Sequence, residues 1–209
     1  GGEHTRNRST VKPPKRLVGH SSLWLVRAVS ETVSIRPARR EDVPAILVIY
    51  NAAVQEPAAA CEDAPHTLHQ RQDWYDQFQR RNFPVLVAER KGIVVGWASL
   101  GPHQERTGFR FTGSVAVYVA AVYRRQGVGG QLLSALLSAG RERSLHTVLA
   151  VIDSQNAASL ELHRRHGFQE AGRYREAGCK FGEWRDVLTL QCMLDDRPTP
   201  AFDTGSTTP

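Results

Sequence analysis

The stretch that decides the fold reads Tyr123-Arg124-Arg125-Gln126-Gly127-Val128-Gly129-Gly130. It joins an apolar run at residues 115–122 to a leucine-rich stretch at residues 131–137, an order that predicts a strand, a glycine turn and a helix. Glycines remove the Cβ atom where a backbone must come close to a phosphate, and the N–H groups at a helix N-terminus converge on such an anion. The stretch therefore predicts a pyrophosphate-binding turn, with an ordinary tight turn as the alternative.

The spacing of these glycines excludes two common phosphate-binding motifs. A Walker loop needs a lysine followed by serine or threonine, and no lysine follows the glycines here. A Rossmann fingerprint needs Gly-x-Gly-x-x-Gly and an acidic residue about 20 positions later, whereas Asp153 lies further away. The pattern that fits is Arg-x-x-Gly-x-Gly, at Arg124, Gly127 and Gly129.

Two further segments follow the glycine turn. Residues 149–153 form a continuous apolar run that predicts a buried strand, and residues 156–168 predict a short helix closed by Gly-Phe. Asn156, Ser159 and His163 recur at helical spacing and share one face of that helix. This polar face is either solvated or turned toward a ligand, and its place after the glycine turn favours a ligand.

These motifs resemble those of the GNAT N-acetyltransferase superfamily, in which Arg-x-x-Gly-x-Gly binds the pyrophosphate of coenzyme A. Residues 172–187 are similar to the closing hairpin of the phosphinothricin acetyltransferase-like branch, and the resemblance covers residues 32–194. It implies an α/β protein with the GNAT fold, a mixed central sheet with helices on both faces. It also implies acetyl-CoA as the co-substrate and a homodimer as the assembly.

Hydrophobic periodicity predicts the order of the elements within this region. Helices are expected near residues 41–54 and 68–81, through the leucine-rich stretch to about residue 143, and after Asn156. Strands are expected at residues 32–36, 84–90, 93–100, 111–119 and 146–153, followed by two closing strands. Lys91-Gly92 predicts the turn of the first hairpin.

The two ends of the chain differ from the region between them. Residues 1–31 are rich in arginine, lysine and proline, which predicts a basic, disordered extension that supplies much of the formal charge of +6. Because no regular pattern of aromatic residues is interleaved with the basic ones, this extension is not expected to bind nucleic acid. Residues 195–209 are polar and contain proline, which predicts a flexible tail. The acetyltransferase domain is expected at residues 32–194.

Composition indicates the compartment. Among the 209 residues, no apolar stretch approaches the roughly 20 needed to cross a bilayer. The three cysteines, Cys61, Cys179 and Cys192, have neither paired nor metal-ligand spacing, which is typical of proteins in a reducing compartment. The sequence therefore predicts a cytoplasmic enzyme without a metal ion, acting on a small-molecule amine and not at a membrane.

The resemblance assigns roles to particular residues. In GNAT proteins the strand before the glycine turn carries a bulge, and its main chain binds the acetyl and pantetheine groups, a role that falls here to Val117, Tyr118 and Val119. His163 takes the position of the tyrosine that serves the leaving thiolate in other members, and a histidine can donate a proton near neutral pH. The other residues expected to contact the coenzyme are Arg124, Arg125, Gln126, Gly127, Val128, Gly129, Gly130, Asn156 and Ser159.

The catalytic base is where this sequence departs from the family pattern. Ser114 occupies the position of the catalytic glutamate, and a serine cannot serve as that base. Three explanations stay open: a water chain through Ser114, a carboxylate borrowed from Glu105 or Asp186, or a different substrate. An α-amine of pKa near 8 is already about one-tenth unprotonated at pH 7, so a weakly basic amine tolerates the loss.

The substrate-binding segment departs from the pattern as well. Where relatives carry arginine or lysine after Gly-Pro-x, this chain has Gln104, which weakens the case for phosphinothricin or methionine sulfoximine. Lys180 is a candidate replacement cation. Trp184 is a candidate wall of the substrate pocket, with plain core packing as the alternative.

The leading hypothesis is an acetyl-CoA-dependent N-acetyltransferase that transfers acetyl directly to the primary amine of a small amino acid or amino-acid analogue. An acetyltransferase for a peptide N-terminus or a polyamine is the alternative among enzymes. Because the family glutamate is replaced by Ser114, a non-catalytic acyl-CoA-binding module is the alternative from another class of protein.

Overall fold

The computed structural model describes residues 1–2, 32–59 and 62–200. Four α-helices are present in this part of the chain: α1 (Val43–Val54), α2 (Leu68–Arg80), α3 (Val128–Glu142) and α4 (Ala157–Arg165). The strands are β1 (Ser34–Pro37), β2 (Val85–Arg90), β3 (Ile93–Pro102), β4 (Thr112–Val119), β5 (Thr147–Asp153), β6 (Gln169–Lys180) and β7 (Glu183–Met193). Each predicted element is found, and the predicted ends coincide with the observed ones or differ by one or two residues.

The seven strands form one sheet in the order β1-β2-β3-β4-β5-β7-β6. Neighbouring strands are antiparallel except for β4 and β5, which are parallel. A parallel pair needs a crossover connection, and α3 supplies it. The mixed central sheet of the expected α/β fold is confirmed.

The helices cover the sheet on both faces, as predicted. On one face α3 and α4 pack against the sheet around Leu132, Leu133 and Leu136, which are fully buried. Burying a leucine side chain of this kind contributes roughly 1.5–3 kcal/mol. On the other face α1 and α2 cover β2, β3 and β4 around Ile46 and Trp97. Helices therefore pack on both faces of β4, the middle strand of the sheet.

Two hairpin turns adopt the left-handed backbone that a two-residue connection requires. Lys91 and Gly92 have φ angles of 53° and 78°, which confirms the predicted first turn. Phe181 and Gly182 have φ angles of 50° and 79° and connect β6 to β7 in the same way.

The predicted tail at residues 195–209 is partly attached to the domain. The Asp195 carboxylate lies 2.6 Å from Nδ1 of His146, and Arg197 donates to the carbonyl of Ser144 at 2.5 Å. These contacts extend the ordered domain to at least Arg197. The predicted basic extension lies outside the described residues, apart from Gly1 and Gly2. Within the described ranges, no helix combines the length and the apolar character that crossing a membrane requires.

Candidate active site

The two parallel strands β4 and β5 separate in the middle of the sheet. They pair only at Thr112↔Thr147, Gly113↔Val148 and Ser114↔Leu149. Beyond Ser114, β4 stays paired with β3 as far as Val119, while β5 stays paired with β7. A slot therefore opens between them, with Ser114 at its apex.

Hydrogen-bond alternation along β4 decides which main-chain groups face this slot. The N–H of Ala120 donates to the carbonyl of Val95 at 3.0 Å, and every second residue of an antiparallel strand bonds the same neighbour. The main chain of Tyr118 is therefore directed toward β3, and those of Val117 and Val119 toward the slot. The role predicted for all three residues needs main-chain groups that face the slot, and only the two valines have them there. The ring of Tyr118 stacks on that of Trp97, with 4.8 Å between centroids.

The bulge expected in β4 is not present. The pairing of β4 with β3 keeps one register from Gly113 to Val119. The divergence of β5 alone exposes the main-chain groups of β4, since a strand without a neighbour on one side cannot bond there.

The glycine turn forms a helix start that suits an anion. Arg125 and Gly127 have left-handed φ angles of 60° and 81°, and α3 begins at the next residue, Val128. The first hydrogen bond into the helix runs from the N–H of Gln131 to the carbonyl of Gly127 at 3.1 Å. The preceding N–H groups have no intrahelical acceptor, and together with the helix dipole they favour a phosphate.

Two glycines of the turn also serve packing. A Cβ atom on Gly129 would lie 3.3 Å from Cδ2 of Leu162, and one on Gly130 would lie 3.4 Å from Cε1 of His166. Both contacts belong to α4. The glycines therefore let α4 lie close to the start of α3, which accounts for part of the motif without any ligand.

Arg124 is engaged by the protein itself. Its Nε donates to the carbonyl of Val119 at 2.9 Å, and its terminal nitrogens form a bidentate pair with Glu56 at 2.7 and 2.8 Å. The Glu56 carboxylate raises the pKa of the Arg124 guanidinium. The arginine that the motif assigns to the pyrophosphate thus ties the turn to the segment after α1.

Arg125 and Gln126, the next two residues of the turn, differ in whether other side chains of the protein bind them. Gln126 accepts a bond from Arg90 at 2.9 Å and donates to the carbonyl of Val122 at 3.0 Å. Arg125 is exposed, and no acid in the described ranges forms an ion pair with it. Arg125 is therefore the cationic side chain of this turn that the described residues leave available.

The first residue of the α4 polar face is a helix cap. Oδ1 of Asn156 accepts the N–H of Ser159 at 3.0 Å, and its Nδ2 donates to the carbonyl of Ala58 at 2.9 Å. Because both Oδ1 and Nδ2 are hydrogen-bonded, the Asn156 side chain holds the start of α4 in place. The structure thus gives Asn156 an anchoring role beside the ligand role predicted for it.

His163 is buried, with 3% of its surface exposed. Its Nδ1 lies 2.8 Å from the carbonyl of Ser159, so Nδ1 carries the proton that this carbonyl accepts. Nε2 is buried without a partner in the described structure. Burial lowers the pKa of the imidazole, which keeps the ring neutral and makes Nε2 an acceptor. In this geometry Nδ1 is bound by a carbonyl of its own helix, and Nε2 is the nitrogen left without a partner.

Ser114 has a partner that the sequence did not identify. Nδ1 of His103 lies 3.1 Å from its Oγ. The residue opposite Ser114 in β3 is Gly101, and a Cβ atom there would lie 2.9 Å from Phe78 of α2. Ser114 and His103 therefore face the α2 side of the sheet. The sequence analysis missed His103 because its place beside Ser114 follows from the β3–β4 register.

The two carboxylates considered as borrowed bases are bound elsewhere. Glu105 forms a bidentate pair with Arg81 at 2.8 and 3.0 Å. Asp186 accepts bonds from Arg173 and from the N–H of Glu176, which lower the pKa of its carboxyl group. Neither is placed to take a proton at Ser114.

The three residues predicted to bind substrate are not brought together. Lys180 is 2% exposed, and its Nζ donates to the carbonyl of Val54 at 2.7 Å and to the carbonyl of Glu62. This lysine fixes the β6–β7 hairpin on the end of α1, so it is not open to a substrate. Trp184 is 69% exposed on β7 and forms no ring contact with another described residue. Gln104 is exposed beside His103.

A buried arginine is the functional candidate that the sequence analysis missed. Arg71 is 3% exposed, and its guanidinium lies 3.8 Å from the centre of the Tyr50 ring and 4.8 Å from that of Trp74. One terminal nitrogen lies 3.1 Å from Nδ1 of His66, and Nε is buried without a partner. Burial lowers the pKa of Arg71. The sequence feature that could have pointed to Arg71 is its Arg-x-x-Trp spacing with Trp74 on α2.

A capping box fixes this arginine in place. Oγ1 of Thr67 accepts the N–H of Gln70 at 3.3 Å, and Oε1 of Gln70 accepts the N–H of Thr67 at 2.8 Å. Such reciprocal bonds stabilise the first turn of a helix. They set the rotation of α2 and therefore direct Arg71 toward the sheet.

Residues 47–168, more than half of the chain, match the acetyltransferase (GNAT) family. The chain belongs to this family, whose acetyl donor is acetyl-CoA. The chain is therefore an acetyltransferase by family, which favours an enzyme over the binding module considered above.

Individual relatives support the same assignment. A Pseudomonas aeruginosa protein named L-methionine sulfoximine/L-methionine sulfone acetyltransferase is 44% identical over 165 residues, which cover 78% of this chain and 96% of that protein. The solved structure of ribosomal-protein-alanine N-acetyltransferase from Brucella melitensis is 44% identical, with a TM-score of 0.75 over 77% of this chain and 99% of that one.

A third relative confirms the resemblance to the phosphinothricin acetyltransferase-like branch. It is the structure of a phosphinothricin acetyltransferase from Sinorhizobium meliloti in complex with AcCoA, with 27% identity and a TM-score of 0.79. The match covers 84% of this chain and 96% of that one.

The buried histidine predicts a specific pH dependence of stability. Because burial lowers the folded-state pKa of His163 below its unfolded value near 6.5, the unfolded chain binds more protons there than the folded chain. Stability should therefore fall as the pH drops below about 6.5, by up to about 1.4 kcal/mol per pH unit from this residue. Urea unfolding between pH 5.5 and 7.5 should show a shallower pH slope for His163→Phe than for the wild type.

The matched control for this measurement is His69→Gln, since His69 is an exposed histidine on α2. It should keep the wild-type slope. Identical slopes for the wild type and His163→Phe would contradict a neutral, buried His163.

Proposed function

We propose that this acetyltransferase transfers acetyl from acetyl-CoA to the primary amine of a small amino acid or amino-acid analogue. Acetyl-CoA supplies the acetyl group as an activated thioester. In this proposal the main-chain groups of Val117 and Val119 hold the pantetheine arm along the slot, as an added strand would be held. The free N–H groups at residues 126–130 bind the diphosphate, with Arg125 as the supporting cation.

The observation that carries the substrate class is the buried guanidinium of Arg71. A buried charge is costly unless it is paired, and within the described ranges no carboxylate forms an ion pair with Arg71. The faces of Tyr50 and Trp74 compensate part of this cost through cation–π contacts. An anionic or oxygen-rich group of a substrate would supply the missing acceptor.

The position of Arg71 relative to Ser114 limits the size of that substrate. Arg71 and Phe78 lie about 10 Å apart along α2, since seven residues rise 1.5 Å each. Phe78 packs on the backbone opposite Ser114. An extended amino-acid analogue fits this length, with its amine toward Ser114 and its oxygen-rich end toward Arg71. Arg71 thus provides the cation that the exposed Gln104 does not.

A peptide N-terminus is the second candidate acceptor. The Brucella melitensis structure described above, at 44% identity, is named for acetylation of a ribosomal-protein alanine. An α-amine also suits a site without the family glutamate, because its pKa is near 8. A polyamine is disfavoured, since its charges would meet Arg71.

The proposed substrate class can be tested by removing the charge of Arg71. The wild type should acetylate L-methionine sulfone in preference to L-methionine, which has the same skeleton without the sulfonyl oxygens. Arg71→Gln should lower kcat/KM for the sulfone by about 10- to 100-fold, because a hydrogen bond to a charged group contributes roughly 1.5–3 kcal/mol. It should change kcat/KM for L-methionine much less. A free-thiol assay of both amines gives the two values.

Arg80→Gln is the matched control, because Arg80 is exposed near the end of the same helix. Its kinetics should equal those of the wild type. Equal losses on the two substrates would contradict a substrate-binding role for Arg71. Turnover of an alanine-initiated peptide, without turnover of any amino-acid analogue, would favour the second candidate.

We also infer a homodimer. The sheet face that α1 and α2 cover over β2–β4 has no helix over β5, β7 and β6 in the described structure, and Val151, Tyr174 and Met193 are exposed there. An uncovered apolar sheet face of this kind is typical of an association surface. Sedimentation equilibrium should give about twice the chain mass of 23.2 kDa. Val151→Asp should yield the monomer, because it places a charge on this face.

The control for the dimer is Val48→Asp, which changes an exposed valine on α1 instead. It should remain dimeric. A monomeric wild type would contradict the inference.

We further infer a cytoplasmic location. Cys179 and Cys192 are both free thiols, and free thiols are expected in a reducing compartment such as the cytoplasm. Cys61 lies outside the described residues. Recovery of the native enzyme from an oxidising compartment would contradict this inference.

A further inference from the structure

We propose that Ser114 and His103 form a proton relay that does the work of the missing glutamate. The observation behind the proposal is the 3.1 Å separation of Oγ of Ser114 and Nδ1 of His103, within hydrogen-bonding range. The proposal rests on the function proposed above, because it concerns how the acceptor amine loses its proton.

The pair stands where the reaction requires it. Ser114 is the last residue of β4 that pairs with β5, so its side chain lies at the apex of the slot. Its hydroxyl faces the same side of the sheet as Phe78, along the surface assigned to the substrate. The amine and the thioester would therefore meet beside this hydroxyl.

Two contacts position the imidazole. The main-chain N–H of His103 donates to the carbonyl of Thr112 at 3.2 Å, and this bond extends the β3–β4 pairing by one position. The ring also meets Phe109 edge to face, with 5.7 Å between centroids. His103 is half-buried. Its ring is thus held beside Ser114 by backbone register and by packing.

The other candidate bases are buried or engaged by other residues in the described structure. His163 presents a buried Nε2 and uses Nδ1 on the carbonyl of Ser159. Glu105 and Asp186 are held in ion pairs with arginines. His66 contacts Arg71 and Glu62. Among the described acids and histidines, His103 alone has a hydrogen bond to Ser114.

The proton steps balance within this pair. The substrate ammonium gives a proton to Oγ of Ser114 while the Ser114 hydroxyl passes its own proton to Nδ1 of His103. The serine ends unchanged and the imidazole becomes imidazolium, which later releases the proton to solvent. The neutral amine forms the N–C bond to the acetyl carbon, and the thioester C–S bond breaks. The second proton lost by nitrogen neutralises the departing thiolate.

A serine alone could not do this, because its hydroxyl has no capacity to keep a proton at neutral pH. Coupled to an imidazole it needs only to pass one on, and histidine is the side chain suited to accept a proton in that range. The pair replaces one carboxylate by Ser114 of β4 and His103, the residue that follows β3.

The test is a double-mutant cycle with rescue, measured on the wild-type enzyme and its variants with L-methionine sulfone. Ser114→Ala and His103→Gln should each lower kcat by about 100-fold or more, the usual contribution of a general base. The double variant should be no slower than either single one, because both remove one relay. Ser114→Glu in the His103→Gln background should restore kcat to within about tenfold of the wild type. The KM for acetyl-CoA should change little in all of them.

A series of acceptor amines adds a readout that a structural role would not affect. The loss in His103→Gln should grow with the basicity of the amine, since a more basic amine depends more on the base. His69→Gln is the control histidine, and thermal melts confirm folding. Additive losses, an unchanged kcat, or failure of the glutamate to rescue would overturn the relay. A wild type without turnover on any amine would instead overturn the proposed function.

Discussion

The separation of β4 and β5 is the constraint on which the rest of the structure depends. A strand in the centre of a sheet normally satisfies its N–H and C=O groups on both sides, and leaving such groups unpaired in a protein interior is costly. Beyond Ser114, Val117 and Val119 have no strand neighbour on one side. The fold maintains this opening because β3 and β7 hold the two strands apart and helices clamp both faces. In the proposed function, the pantetheine arm, an extended chain with its own amide groups, pairs with these free groups.

Three residues for which a ligand role is predicted also bind the chain between α1 and α2. Arg124 pairs with Glu56, Asn156 donates to the carbonyl of Ala58, and Lys180 donates to the carbonyls of Val54 and Glu62. The glycine turn, α4 and the closing hairpin therefore meet at one connection. This connection leads directly into α2, which carries Arg71, so the coenzyme side and the proposed substrate side of the site are mechanically joined.

The sequence predicted those features that local pattern controls. Alternating and helical periodicity predicted the element order. The glycine turn was found at the start of α3, because glycine adopts a left-handed backbone more readily than other residues. The roles of Lys180 and His103 depended on contacts between distant segments. Lys180 meets Val54 across 126 positions of sequence, and His103 meets Ser114 through the register of a hairpin. A lysine in a strand gives no local sign that it will be buried. The prediction of a bulge in β4 was wrong, because it came from the family pattern and not from the residues of β4 themselves.

In the proposed function, a CoA thioester fills the slot and binds the helix start. NMR-detected amide hydrogen exchange on labelled protein, with and without acetyl-CoA, tests this binding directly. Exchange should be slower at Val117 and Val119 and at residues 126–130 when acetyl-CoA is present, with amides of β2 unchanged. Unchanged exchange at these positions under saturating acetyl-CoA would contradict it.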